Sequence, residues 1–83
     1  MAKLSPAELA TLQAAGRGDL RASAGYDWRR NSDGTTRRCT RQAQSLVAAG
    51  LVRLAPWQRG DEHRGQQYEL TAAGRAELAE SPE

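Results

Sequence analysis

Eighty-three residues with a formal net charge of +2 suffice for one domain, 1–83, with a small core. A single cysteine, Cys39, excludes an internal disulfide and a cysteine-based zinc cluster. No apolar run approaches a secretory h-region or a membrane span, so the expectation is a soluble, cytoplasmic chain with no membrane partner.

Nine Leu and two Val are few enough for disorder to compete with folding, but the low net charge and the sharply periodic segments argue for a folded chain. Its thin, Ala-rich core favours close helix packing and burial of a further face in a homodimer. Charge is spread unevenly. From Arg17 to Arg64 ten Arg face five acids, net +5, whereas the remainder sets Lys3 and Arg75 against five Glu, net −3. A basic middle between acidic ends points to a surface that meets a polyanion.

In chain order, Leu4-Ser5-Pro6-Ala7-Glu8-Leu9 predicts a helix start, with Ser5 as N-cap, Pro6 at the first helical position, Glu8 closing a capping box and Leu4 stapled to Leu9. The helix should run from Pro6 to about Ala15, bury Leu9 and Leu12, and stop at Gly16 and Gly18. Leu20 to Trp28 alternates apolar and polar residues, the period of a half-buried strand, and Gly25 could break it into a short hairpin. Tyr26 and Trp28 share the parity of Leu20 and are expected as core or sheet-face residues rather than base-stacking ones. Arg29 to Gly34 reads as a polar loop, with Arg29 and Arg30 at the approach to the next element.

The chain is organised around residues 35–49. At about 100° per residue, Cys39, Ala43, Leu46 and Gly50 fall on one stripe and Arg37, Arg41 and Gln44 on the opposite one, beside Arg38 and Ser45. This predicts a helix capped by Asp33, Thr35 or Thr36 and stopped by Gly50, with Leu51 closing on Leu46. Two short strands follow, Leu51 to Ala55 and Gln67 to Leu70, around a charged loop from Trp57 to Gly65. One register pairs Val52 with Leu70, Leu54 with Tyr68 and Arg53 with Glu69, so apolar pairs and an ion pair agree. Thr71 should cap a last helix reaching Glu80.

The run Ser45-Leu46-Val47-Ala48-Ala49-Gly50-Leu51-Val52-Arg53-Leu54, followed by Tyr68-Glu69-Leu70-Thr71-Ala72-Ala73-Gly74-Arg75, resembles the recognition-helix end, wing and Leu-Thr-x-x-Gly turn of small bacterial winged helix-turn-helix regulators of the MarR and PadR kind. The resemblance covers residues 35–80 and implies an α+β winged helix of about three helices with a two- to three-stranded wing sheet. It also implies duplex DNA as partner, helix 35–49 in the major groove, loop 57–65 as wing, and dimerisation through the first or last helix. No helix is visible just before the central one, and no sequence remains for a small-molecule effector pocket.

On that resemblance Arg37, Arg38 and Arg41 contact phosphate or guanine edges, Gln42 or Gln44 pairs with adenine, and Ser45, Arg29 and Arg30 lie alongside, with Arg59 and Arg64 on the wing. Some five arginines on phosphates would give a log affinity against log salt slope of about −4 to −5, from about −0.9 per phosphate. The alternative is a protein-binding winged helix, an inhibitor or assembly subunit that grips an acidic partner with the same helix or the Trp57 region. No enzyme is expected. His63 lacks a nucleophile or Ser-His-Asp company, Cys39 sits on the core stripe, and Asp61-Glu62-His63 offers too few ligands for a metal, so no cofactor is expected either.

Overall fold

The computed structural model describes residues 4–23, 25–61 and 65–80. Helix α1 (Pro6–Arg17) starts as its residues dictate: the Ser5 hydroxyl accepts from the Glu8 N–H at 3.2 Å, and the Glu8 carboxylate accepts from the Ser5 N–H at 2.9 Å. Gly18, at φ 80°, turns the chain out, and the Asp19 N–H closes onto the Ala14 carbonyl at 2.8 Å. Gly16 lies inside the helix rather than ending it, and a Cβ there would stand 3.3 Å from Leu78 Cδ1.

Strands β1 (Leu20–Ser23), β2 (Tyr26–Arg30) and β3 (Thr36–Arg38) follow, then helix α2 (Thr40–Ala48), strands β4 (Val52–Leu54) and β5 (Gln66–Leu70), and helix α3 (Ala72–Glu80). The fold is α+β. Its sheet has the order β3-β2-β1-β5-β4 with every pairing antiparallel. It has five strands instead of two or three because β1 joins the β4–β5 pair through Arg21↔Gln67 and Ala22↔Gln66, and the β2–β3 hairpin extends it further. Helix α1 packs on β1, β2 and β5, α2 on β2 and β4, and α3 on β5. Between them lie Leu12, Leu20, Cys39, Ala43, Leu46, Val52 and Tyr68. The radius of gyration is 11.9 Å, against about 12 Å expected for one compact domain of this length.

The β4–β5 register is the one the side chains demand: Val52↔Leu70, Arg53↔Glu69 and Leu54↔Tyr68. Gly50, at φ 76°, ends α2 as expected, with its N–H on the Val47 carbonyl at 3.0 Å and the Leu51 N–H on the Leu46 carbonyl at 2.9 Å. The Thr71 hydroxyl accepts from the Gly74 N–H at 3.0 Å and so caps α3.

Two expectations are corrected. Gly25, at φ 84°, does make the hairpin, but the register Leu20↔Arg29, Ala22↔Asp27 pairs even-numbered residues with odd ones. Partners in an antiparallel pair share a face, so Asp27 and Arg29 turn inward with Leu20, while Tyr26 and Trp28 turn outward. The second correction concerns helix 35–49, which begins only at Thr40. Residues 36–38 pair with β2 instead, as Arg30↔Thr36, Arg29↔Arg37 and Trp28↔Arg38. Asp33 accepts the Thr35 N–H at 3.0 Å and the Thr35 hydroxyl at 2.6 Å, so it caps the β2–β3 turn and not a helix.

Candidate nucleic-acid interface

The junction of β3 and α2 carries the exposed arginines. Arg37 and Arg38 lie on the edge strand β3, and Arg41 lies in the first turn of α2. The junction is fixed from β2: the Cys39 N–H donates to the Asp27 carbonyl at 2.9 Å, and the Asp27 N–H donates to the Thr40 hydroxyl at 2.9 Å. Ala43 and Leu46 are buried beneath α2, which leaves Arg41, Gln44, Ser45 and Ala48 outside and Gln42 half-buried. Ser45 is engaged. Its hydroxyl donates to Glu8 at 2.6 Å, and that bond, with those from Ser5, holds the Glu8 carboxyl below its usual range.

Arg29 does not belong to the surface. It is 6% exposed, its guanidinium donates to Thr11 Oγ1 at 2.6 Å and to Asn31 Oδ1 at 3.0 Å, and its stem fills space under α1. Asp27 is buried beside it, and burial raises its carboxyl above the usual range against the opposing hydrogen bond from the Tyr68 hydroxyl at 3.2 Å. Burial and the neighbouring Asp27 push the Tyr68 phenol up to about 12. Burial also raises the Cys39 thiol, 1% exposed, so the cysteine is a small core residue as its stripe predicted.

The β4–β5 loop presents Trp57 and Arg59 to solvent. It is closed at its base by the Ala55 N–H on the Gln67 carbonyl at 2.8 Å and by Gln66 Nε2 on the Ala55 carbonyl at 2.6 Å. Arg21 ties it to β1, donating to the Gly65 carbonyl at 3.0 Å and standing 3.8 Å from Asp61. Gly65, at φ 90°, passes so close to β1 that a Cβ would meet the Ala22 carbonyl oxygen at 2.7 Å. Arg64 and His63 lie outside the described residues, so the wing arginine that is described is Arg59.

The parity switch in the hairpin assembles a second surface. Arg21, Ser23, Tyr26, Trp28, Arg30, Thr36 and Arg38 share the face of the sheet turned away from the helices, together with Arg37 at its edge. Of these only Arg30, Arg37 and Arg38 were legible as site residues. The signal that could have found the others is Asn31-Ser32-Asp33-Gly34, a turn sequence that makes a second hairpin and therefore a wide sheet. Arg30 ends β2 there, exposed, with its carbonyl accepting from Arg17 at 2.8 Å.

Among the described residues the ion pairs are Arg17–Asp19, Arg21–Asp61 and Arg53–Glu69, so Arg30, Arg37, Arg38, Arg41 and Arg59 stand outside them. Among the same residues no group of three or more His, Cys, Asp or Glu could hold a metal ion, and no helix is long and apolar enough to cross a membrane. No protein-family model, curated protein or solved structure matches this chain.

Proposed function

We propose that the chain binds duplex DNA in a sequence-specific manner and acts as a transcriptional regulator, with α2 in the major groove and the β4–β5 loop along the backbone as a wing. The observation that carries this is Arg37 and Arg41, both exposed and outside the described ion pairs, one on an edge strand and the other in the first turn of the helix that follows it. Nine residues make a helix about 13 Å long, which suits a major groove about 12 Å wide. Arg41 and Gln44 on its outer face would read base edges. Arg37 and Arg59 would meet phosphates, and the positive end of the helix dipole at Thr40 adds to the attraction.

The antiparallel unit β1-β5-β4, entered from α2 through the Gly50 stop, supports the winged-helix assignment. The β2–β3 hairpin occupies the place in chain order where a helix-turn-helix has its first helix. Orientation of α2 on DNA then comes from the Asp27 bonds to Cys39 and Thr40 instead of from a preceding helix. A second function is favoured by one observation: Val47, Leu54 and Trp57 expose 46%, 47% and 58% of their surface, which suits a protein-binding module.

Selection of bound fragments from random duplex tests the first function, since an enriched motif gives specificity and its half-site spacing gives stoichiometry. With two phosphate contacts, from Arg37 and Arg59, log affinity should fall with log salt at a slope of about −1.8, from about −0.9 per phosphate. Arg37→Ala with Arg41→Ala should abolish binding without unfolding the domain. No enriched motif and a flat salt response would overturn duplex recognition. A protein partner retained through moderate salt and lost on Trp57→Ala would establish the second function.

A further inference from the structure

We propose that the open face of β1, β2 and β3 is a stacking site for unpaired bases of a single nucleic-acid strand, a ligand different from the duplex assigned to α2. Trp28 lies at the centre of that face, directly opposite Arg21 on β1 and Arg38 on β3. Tyr26 and Arg30 flank it along β2, two residues away on either side and therefore on the same face. An indole framed by the guanidinium groups of Arg30 and Arg38 and a phenol, with Arg21 held by Gly65 and Asp61 at its border, is the chemistry of a strand whose backbone is anionic and whose bases have apolar faces.

The details prepare these groups for such a ligand. Trp28 Nε1 donates to the Ser23 hydroxyl at 2.9 Å, which fixes the ring and satisfies its one polar atom. The Arg38 guanidinium carbon stands 4.7 Å from the Tyr26 ring centroid, so a cation–π contact positions the charge at the groove while its N–H groups remain able to meet a phosphate. One acid lines the groove, Asp19, and it is paired with Arg17 at 3.2 Å. The groove is thus complementary to a polyanion, and its aromatic content decides which kind. Bases inside a duplex already stack on each other, so a surface aromatic platform adds affinity only where bases are unpaired.

The test uses a Trp57→Phe background, in which Trp28 is the sole indole. It is titrated with oligo(dT), oligo(U) and an abasic strand, each about ten nucleotides long, and with a duplex. Expected is quenching of Trp28 emission by oligo(dT) or oligo(U), with binding at least about tenfold tighter than the abasic strand. Tyr26→Leu and Arg38→Gln should each weaken this binding about fivefold or more, and Trp28→Leu, followed by the anisotropy of end-labelled strands, should abolish the gain over the abasic strand. Arg41→Ala with Gln44→Ala should leave it unchanged. Equal affinity for the abasic strand, equal quenching by duplex, or binding without any change in emission overturns the stacking site. Duplex binding with no single-strand binding removes this proposal and leaves α2 recognition intact, and the converse removes α2 recognition alone.

Discussion

Gly74→Ala should unfold the domain more readily, although the same change in an isolated helix is stabilising. A Cβ built on Gly74 lies 2.0 Å from the Leu51 carbonyl oxygen and 3.3 Å from Leu70 Cδ2. Carbon-to-oxygen contacts of the closest ordinary kind run about 3.3–3.6 Å, so α3 must retreat by about 1 Å or more. Two hydrogen bonds span the gap that opens: the Thr71 N–H to the Leu51 carbonyl at 3.1 Å and the Thr71 hydroxyl to the Gly50 carbonyl at 2.6 Å. Losing them costs about 0.5–1.5 kcal/mol each, and overpacking costs about 1–3 kcal/mol. Helix propensity returns about 1 kcal/mol. The net is a loss of about 1–5 kcal/mol, a large share of the roughly 4–12 kcal/mol expected for a chain this long. Urea unfolding followed by far-UV circular dichroism measures it. Ala73→Gly, one residue away and exposed, is the control and should cost no more than about 1 kcal/mol. A Gly74→Ala midpoint equal to or above that of the native chain would refute the close approach of α3 to Leu51.

Arg29 and Arg41 should behave in opposite ways. Arg29→Ala empties buried space and should cost about 2–4 kcal/mol of stability, whereas Arg29→Met, which refills that space, should fold and retain DNA affinity. Arg41→Ala should change stability by less than about 0.5 kcal/mol and weaken duplex binding, both read by urea unfolding and a binding titration at fixed salt. The buried Asp27 carboxyl has its pKa raised by folding, so its contribution to stability is complete below the unfolded value and is lost as pH rises through the folded one. Asp27→Asn removes that loss, so the stability of the variant relative to the native chain should climb with pH above the ordinary carboxylate range. Glu8 and Asp33, whose carboxyls folding lowers, slope the other way but cancel in the difference. A pH-independent difference would contradict the burial of Asp27. Cys39 should react with a thiol reagent only at the rate of opening, so modification speeds up in urea and under destabilising substitutions such as Gly74→Ala.

Local chemistry made the ends of the elements legible, because caps and stops are decided within a few residues. Ser5, Pro6 and Glu8 specify the start of α1, Thr71 the start of α3, and Gly50 with Leu46 and Leu51 the end of α2. The β4–β5 register was legible for the same reason, since Arg53 with Glu69 and the flanking apolar pairs admit one alignment. The start of α2 was not. Thr35 to Arg38 continue the 100° stripe of the following helix, yet the β-branched Thr36 and its neighbours satisfy their backbone groups against β2. That partner is contributed by tertiary structure, and α2 then starts at Cys39 with no side-chain cap of its own. Arg29 was misplaced by the same cause: a polar loop and a strand end look alike until the hairpin register is known.

The hairpin register connects these departures. In a chain whose large apolar residues are so few, the economical core would take Tyr26 and Trp28 and leave Asp27 and Arg29 in water. The observed pairing does the reverse, and it makes the buried pair acceptable through Thr11, Asn31 and Tyr68, so that among the described residues no buried side-chain polar atom lacks a partner. A one-residue slip between β1 and β2 would exchange the two faces, so the burial of Arg29 against Thr11 and of Asp27 against Tyr68 selects the register. The same register sets Trp28 between Arg21 and Arg38 and aligns Asp27 to hold Cys39 and Thr40 at the start of α2. The buried polar cluster is therefore the common support of both proposed surfaces. An Asp27→Ser with Arg29→Ser chain, which keeps these positions polar but loses their bonds to Thr11, Asn31 and Tyr68, should be less stable and tolerate the slipped pairing, weakening duplex and single-strand binding together, whereas Arg38→Gln would leave the start of α2 in place.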